Sequence, residues 1–348
     1  MSIYYVTIFI FVILGYFYDR LADETVNNDR TKLITIVIFV FCIVYGFRFE
    51  VGVDWFNYIK IYERQVSDIY TLDTFELGYK LLNIISYYVD EGIVTVIFLS
   101  TVLFISFTLF ALKKIELNPF YFFAIVAPYH LVMSGINYTR QGVALSIFLY
   151  AISCLINQEK KRFLFFILFA GLFHTSALAF LPLFLIGNKK RYLFILLLIV
   201  VPPIVFSMLN QYQQYLDSTI DSTGLYLRSL YLVAPSILLL LHFRGMQESS
   251  MVEKRLTYIV IFSFPLILVL SILSSTIADR FAYYFILLNT ACWMLVSKRD
   301  GNIYIGYLKP YGNLLLFCSS LLAFIVWTLY TKYISSYQFD SYFNYWLS

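Results

Sequence analysis

The chain has 348 residues, 61% hydrophobic and only 13% charged, with a mean hydropathy of +0.77. A soluble domain carries about 25% charged residues, so the composition excludes a soluble enzyme and indicates a polytopic membrane protein. The net charge of +4 does not point to nucleic acid, because the basic residues stand in short clusters between apolar runs.

Runs near the ~18–20 residues that cross a bilayer predict spans at 2–18, 33–47, 93–112, 119–134, 141–157, 192–209, 226–243, 257–276, 281–297 and 313–331. The first has no basic leader and no small-residue cleavage site, and reads as a retained span rather than a signal peptide. After the second comes RFEVGVDWFNY at 48–58, which opens a long extracytoplasmic loop over 48–92. Within it FELGYKLLNIISYYV (75–89) has apolar positions at helical spacing and is expected to lie along the interface or dip into a cavity.

The segment 163–186, FLFFILFAGLFHTSALAFLPLFLI, lies between the basic clusters Lys160, Lys161, Arg162 and Lys189, Lys190, Arg191. A single crossing would place one of these clusters outside and invert all later topology. Read instead as a re-entrant hairpin broken around Gly171 to His174, each half rises only about 16 Å. Such a break needs protein or a water-filled cavity around it. With the hairpin and an outside N-terminus, most of the 25 basic residues fall on the cytoplasmic side, as the positive-inside rule requires. The polar stretch NQYQQYLDSTIDSTGLY forms a second extracytoplasmic loop at 210–226. No repeat or linker divides the chain, so 1–348 is expected to be one membrane domain. The fold class is all-α, with about ten transmembrane helices plus the hairpin, in a GT-C-like arrangement.

On this topology Arg48, Asp54, Arg140, Asp279 and Arg280 share the extracytoplasmic face. An ionisable group at a span edge costs a few kcal/mol unless it is paired or faces water, which makes each a site candidate. Guanidinium forks bind phosphate bidentately and keep their charge, so Arg48, Arg140 and Arg280 suit a diphosphate at headgroup depth. A lone interfacial arginine also snorkels to lipid phosphate. Asp54, in the loop opened by Gly52, is either a base, an orienting group or an ion-pair partner, and Glu76 is similar. Tyr58 and Tyr79 can stack with or hydrogen-bond a sugar, although 31 tyrosines weaken that signal. His174 stands at the chain break in an otherwise apolar segment, and its titration range suits a general base. His130 and His242 lack such a setting. The four cysteines have no metal-ligand or disulfide spacing, and no nucleotide, dinucleotide or hydrolase motif is present. No cofactor or metal is expected.

Taken together, RFEVGVDWFNY (48–58), ELGYKLLN (76–83), NYTRQGVALSIFLYAI (137–152), FAGLFHTSALAFLPL (169–183) and DRFAYYF (279–285) resemble the EpsG family of bacterial exopolysaccharide and O-antigen synthesis. The family's polar positions fall here on Arg48, Gly52, Asp54, Tyr58, Glu76, Gly78, Tyr79, Arg140, Gln141, His174 and Arg280, while the chain beyond 290 carries no usable motif. The resemblance implies a Wzy-type polymerase in the bacterial inner membrane, with its active site facing outward. Glycosyl transfer would run from a polyprenyl-diphosphate-linked oligosaccharide donor to a lipid-linked acceptor, with His174 or Asp54 as base. Arg48, Arg140, Arg280, Gln141, Tyr58, Glu76, Tyr79 and Asp279 would bind substrate, and a chain-length regulator is an expected partner besides membrane lipid. A lipid-linked glycan ligase shares the donor. A membrane acyltransferase would not need three outward arginines, and a lipid-linked oligosaccharide transporter should show repeat symmetry.

Overall fold

The computed structural model of the chain describes residues 1–21, 27–67, 76–89, 92–186, 225–242, 249–299 and 303–347. Among these residues it is helical throughout, with no strand beyond one isolated antiparallel bridge between Arg48 and Ser341. The N-terminal part comprises α1 (Ser2–Arg20), α2 (Asn27–Gly46), α3 (Trp55–Ser67), α4 (Leu77–Val89), α5 (Ile93–Lys114) and α6 (Pro119–Ala127). A π-helical segment (Pro128–Asn137) then leads into α7 (Thr139–Ile156) and α8 (Lys160–Phe173), and a 3₁₀ segment (Thr175–Leu185) follows His174. The remainder is α9 (Leu225–His242), α10 (Met251–Ile261), α11 (Ser263–Leu273), α12 (Ser275–Arg299), α13 (Ile303–Tyr330), a short 3₁₀ turn (Ile334–Tyr337) and α14 (Tyr342–Leu347).

Burial sorts these helices into a core and a rim. In α7 every residue except Arg140 and Tyr150 is buried, and α6 with the π-helical segment is almost as enclosed. A helix apolar on all sides belongs at the centre of a bundle. Helices α5 and α8 pack along α7, and α12 meets its N-terminal end. The rim helices α1, α2 and α13 turn Ile13, Phe39, Leu322 and Leu329 outward, which suits a lipid-facing surface. Helix α4 is polar on its inner side, with Tyr79, Asn83 and Ser86 buried, and shows Leu77, Leu81 and Ile85 to the outside. The spacing of four residues puts that apolar stripe on one face, as an interfacial helix would have it.

Five helices are long and apolar enough to cross a membrane: Ser2–Arg20, Ile93–Lys114, Pro119–Asn137, Thr139–Ile156 and Tyr311–Tyr330. Counting the pair Met251–Ile261 and Ser263–Ile272, bent by 44°, makes six. The sequence suggests about ten runs, and the difference has identifiable sources. The run at 192–209, the cluster Lys189 to Arg191 and all of the 210–226 loop but Leu225 and Tyr226, which begin α9, lie outside the described residues. The run at 226–243 yields only a shorter apolar helix, Ser229–His242. Helix α2 begins with the charged Asp29, Arg30 and Lys32, and α12 carries Tyr283, Tyr284, Asn289 and Thr290 in its interior. The segment 163–186 is broken at His174, whose extended backbone separates α8 from the 3₁₀ turns. The two halves pack on each other, with Leu178 against the backbone of Gly171.

The C-terminal residues, silent as sequence, return to the RFEVG string. The Phe49 N–H donates to the Asp340 carbonyl at 3.0 Å, Tyr342 N–H to Phe47 at 2.8 Å, and Gly52 N–H to Ser336 at 2.7 Å. Gly52 itself has φ +108°, and a Cβ there would stand 3.3 Å from the Cα of Asn137 and the carbonyl of Ile136. Only glycine meets both demands. A chain ending at Tyr333 therefore loses the clasp over 47–52. We expect a Val51→Cys thiol, at a position 1% exposed, to resist labelling in the full-length protein and to react readily in the truncated one.

Candidate active site

Arg48 lies 1% exposed between four parts of the chain. Its Nη1 donates to the Tyr45 carbonyl at 2.8 Å and to Thr101 Oγ1 at 3.2 Å. Its Nη2 donates to the carbonyls of Gly135 and Ile136, at 3.2 and 3.3 Å, and to Thr139 Oγ1 at 3.2 Å. Burial lowers the guanidinium to about 10, which still leaves it charged at neutral pH. The carbonyls it takes close the π-helical segment, whose last bond runs over five residues from Tyr138 N–H to Met133 at 2.9 Å. Helix ends leave carbonyls without an internal partner, and Arg48 serves as their cap. The sequence reading put Arg48 on the substrate, but here its Nη donors are spent inside the protein. Its effect is to fix the junction from which Arg140 and Gln141 project.

The other two arginines converge. Arg140, in the first turn of α7, forms an ion pair with Glu76, the residue that precedes α4. Arg280, on α12, donates from Nη1 to His174 Nε2 at 3.1 Å and to Gln141 Oε1 at 3.2 Å. The Gln141 amide returns a bond to the Arg280 carbonyl at 3.2 Å. Glu76 Oε1 stands 4.0 Å from His174 Nε2, so Arg140, Glu76, His174 and Arg280 form one chain of contacts. Four separate stretches supply it: the start of α4, the start of α7, the break after α8, and α12. Glu76 and His174 are buried, whereas 35% of the Arg140 side chain is exposed at the mouth of the group. Its Nε–H has no hydrogen-bond partner among the described residues.

Tyr58 and Tyr79 form the wall beside Arg140. Their ring centroids lie 5.8 Å apart, and the Arg140 guanidinium carbon sits 5.9 and 5.7 Å from them, within cation–π range. Tyr138 flanks Arg280 at 6.0 Å. Asp54 is placed by its own N–H, which donates to Asn137 Oδ1 at 3.1 Å, and its carboxylate accepts from Asn57 at 3.3 Å. It faces both Arg280 and Arg140 electrostatically without an ion pair to either. Asp279 is buried next to Arg280 in sequence and acts on the Tyr138 hydroxyl rather than on the Arg140–Glu76 pair.

Both carboxyls titrate above the usual range. For Glu76 burial is the larger influence, and the attraction of Arg140 only partly offsets it. For Asp54 burial again leads, opposed by the Asn57 hydrogen bond and by Arg280 and Arg140. Among the described residues no group of three or more His, Cys, Asp or Glu side chains is placed to hold a metal. What the group offers chemically is two convergent guanidinium ions, an imidazole and two carboxyls around a half-open mouth. Ser176 and Tyr284 join it from behind: His174 Nδ1 lies 2.6 Å from Ser176 Oγ, and that oxygen 2.9 Å from Tyr284 Oη. The sequence reading passed over both. Tyr284 stands four residues after Arg280, on the same face of a helix, and that spacing was the available signal.

Glu76 allows a stability test with a definite sign. Its folded-state value is raised above the unfolded one, so protonation favours the fold. This contribution is fully present below about 4.3, the ordinary glutamate value, and is lost as pH rises through the higher folded value. Glu76→Gln fixes the uncharged form and can still accept from Arg140. We expect its stability at pH 7 to equal or exceed that of the unsubstituted protein. Thermal melts in detergent should show the gap closing on acidification, and a large loss at pH 7 would contradict this.

A family comparison matches residues 31–345, nearly the whole chain, to the EpsG family. No curated protein and no solved structure matches it.

Proposed function

Because the chain belongs to the EpsG family, we propose that it is a membrane glycosyltransferase that polymerises polyprenyl-diphosphate-linked repeat units into O-antigen or another surface polysaccharide. Family membership by itself points to a polysaccharide polymerase. The observation that carries the finer reading is the meeting of Arg140 and Arg280, distant in sequence, around Glu76 and His174. A diphosphate leaving group acquires charge as the glycosidic bond breaks. Preorganised guanidinium donors in a water-poor site can stabilise that charge by several kcal/mol.

In this reading Arg140 and Arg280 hold the diphosphate, and Gln141 keeps Arg280 in place. Tyr58 and Tyr79 form a wall against which a sugar ring packs. His174 takes the proton of the acceptor hydroxyl. Asp54, at the mouth and facing both arginines, is the second candidate for that role. Arg48 acts at one remove, by holding the start of α7. The topology that suits this chemistry is the one read from charge: about ten spans in a GT-C-like arrangement, a re-entrant hairpin over 163–186, and a site open to the extracytoplasmic side of the bacterial inner membrane. The polyprenyl chains would then lie in the bilayer beside α4, and a chain-length regulator would act from the same side.

The deciding experiment is the length of surface polysaccharide in a deletion strain complemented with variants. Loss of the gene should leave single-repeat product. Arg140→Lys and Arg280→Lys keep the charge but lose the fork, and each is expected to lower polymerisation by about 10²-fold while protein levels hold. Arg48→Lys should instead lower the amount of folded protein in the membrane. Full chain length with both Arg140→Lys and Arg280→Lys would refute the diphosphate assignment.

A further inference from the structure

Behind His174 lies a hydrogen-bonded row in which donor chemistry fixes the direction of both links at the imidazole. A guanidinium has five donors and no acceptor. The 3.1 Å contact from Arg280 Nη1 therefore ends on a bare lone pair at His174 Nε2. A neutral imidazole with Nε2 bare carries its proton on Nδ1, so the 2.6 Å contact is Nδ1–H donating to Ser176 Oγ. The Ser176 N–H also approaches Nδ1, at 3.4 Å; that longer contact would need the opposite tautomer, which Arg280 forbids. With its oxygen accepting from Nδ1–H, Ser176 shares a further hydrogen bond with Tyr284 Oη, 2.9 Å away, in which either hydroxyl can donate. Tyr284 is fully buried, held edge-on by Phe148 at 5.0 Å and packed against the tilted ring of Phe180 at 4.7 Å.

We propose that Ser176 and Tyr284 are positioning residues that fix the tautomer and orientation of His174, and that Arg280 covers the basic nitrogen until donor diphosphate draws it away. This rests on the polymerase reading and adds an order to it. The one lone pair available on His174 points at Arg280. A diphosphate carries more charge than an imidazole nitrogen and competes for the same guanidinium, and as Arg280 turns to it Nε2 is uncovered. The acceptor oxygen then bonds to the anomeric carbon, and the bond from that carbon to the diphosphate oxygen breaks, its electron pair leaving with the diphosphate. The hydroxyl proton passes to Nε2. The resulting imidazolium keeps Nδ1–H on Ser176, whose oxygen stabilises the cation as Asp does in hydrolase triads. The charged and titratable groups around His174 are Arg280 from α12, Arg140 from α7, Glu76 ahead of α4 and, beyond Ser176, Tyr284.

The test uses lipid-linked repeat units extracted from a strain lacking this protein, with the full-length protein in detergent. Removing the acceptor at Nδ1 makes the imidazole less basic. Ser176→Ala should therefore lower kcat about 10-fold or more, leave KM for the lipid-linked unit unchanged, and move the acid limb of kcat to lower pH. Ser176→Thr, which keeps the hydroxyl, should restore the limb, and Tyr284→Phe should shift it by less than Ser176→Ala does. In the unsubstituted protein the acid limb of kcat/KM, which reports the free enzyme, should lie at lower pH than that of kcat, because Arg280 sits on Nε2 only before donor binds. A fall in kcat with an unmoved limb, or a KM effect alone, would reduce Ser176 to packing and overturn the relay. Coincident limbs for kcat and kcat/KM would overturn the covering by Arg280. If the unsubstituted protein extends no chains, it is the polymerase reading that fails.

Discussion

A buried cation with no carboxylate partner among the described residues governs the geometry of this protein. Arg48 sits 1% exposed with its Nη groups on three carbonyls and two threonine hydroxyls. A bare guanidinium in such a place would cost several kcal/mol, so the surrounding acceptors are as necessary to Arg48 as it is to them. Two of those carbonyls, Gly135 and Ile136, end a ten-residue π-helical segment. Long π-helical runs are rare and gather at functional sites. Here the wide turn ends at Tyr138, and α7 starts at once with Thr139, which also bonds to Arg48. The C-terminal clasp over 47–52 closes the arrangement from outside. The placement of Arg140 and Gln141 thus depends on a cation that never reaches the mouth itself.

Adjacent positions on α7 then do different work. Successive helical residues point about 100° apart, so Arg140 turns to Glu76 while Gln141 turns to Arg280. Glu76 reaches its place at some cost, since its φ is +70°, a conformation worth about 1–3 kcal/mol of strain in a residue other than glycine. Its carbonyl compensates by accepting from the N–H groups of Tyr79 and Lys80, which starts α4. Gly78 brings α4 close to Leu172 and Phe173, just before His174. The loop helix and the broken segment are in this way locked to each other.

Part of this was legible in the sequence. Charged residues at the ends of apolar runs are expensive, and that expense singled out Arg140 and Arg280; Glu76 stood out as a loop carboxylate and His174 by its place at the chain break, and the four do meet. The same expense singled out Arg48, but cost alone says only that a partner exists. Whether the partner is a ligand or a row of main-chain carbonyls depends on where a neighbouring helix ends. The π-helical segment left no mark either: 119–134 reads as an ordinary span, and Pro128 in it signals only that one N–H is missing. Ser176 and Tyr284 were hidden for another reason. Hydroxyl groups are common in this chain, so the spacing of Tyr284 from Arg280 is a faint mark, and the tautomer forced by Arg280 is what sets the pair apart.

The charges around the site explain why it tolerates two arginines. Arg140 and Arg280 face two carboxyls, Glu76 and Asp54, so their field is largely balanced within the protein. Both carboxyls are held above the ordinary range by burial, which means that each accepts a proton more readily than an exposed acid would. On the polymerase reading, an arriving diphosphate would add negative charge beside them and raise their proton affinity further, since like charges disfavour the ionised form. The donor would then neutralise Glu76, its competitor for Arg140, and release that arginine toward itself. Proton uptake by carboxyls and the turning of Arg280 away from His174 are, in this picture, two responses to the same added charge.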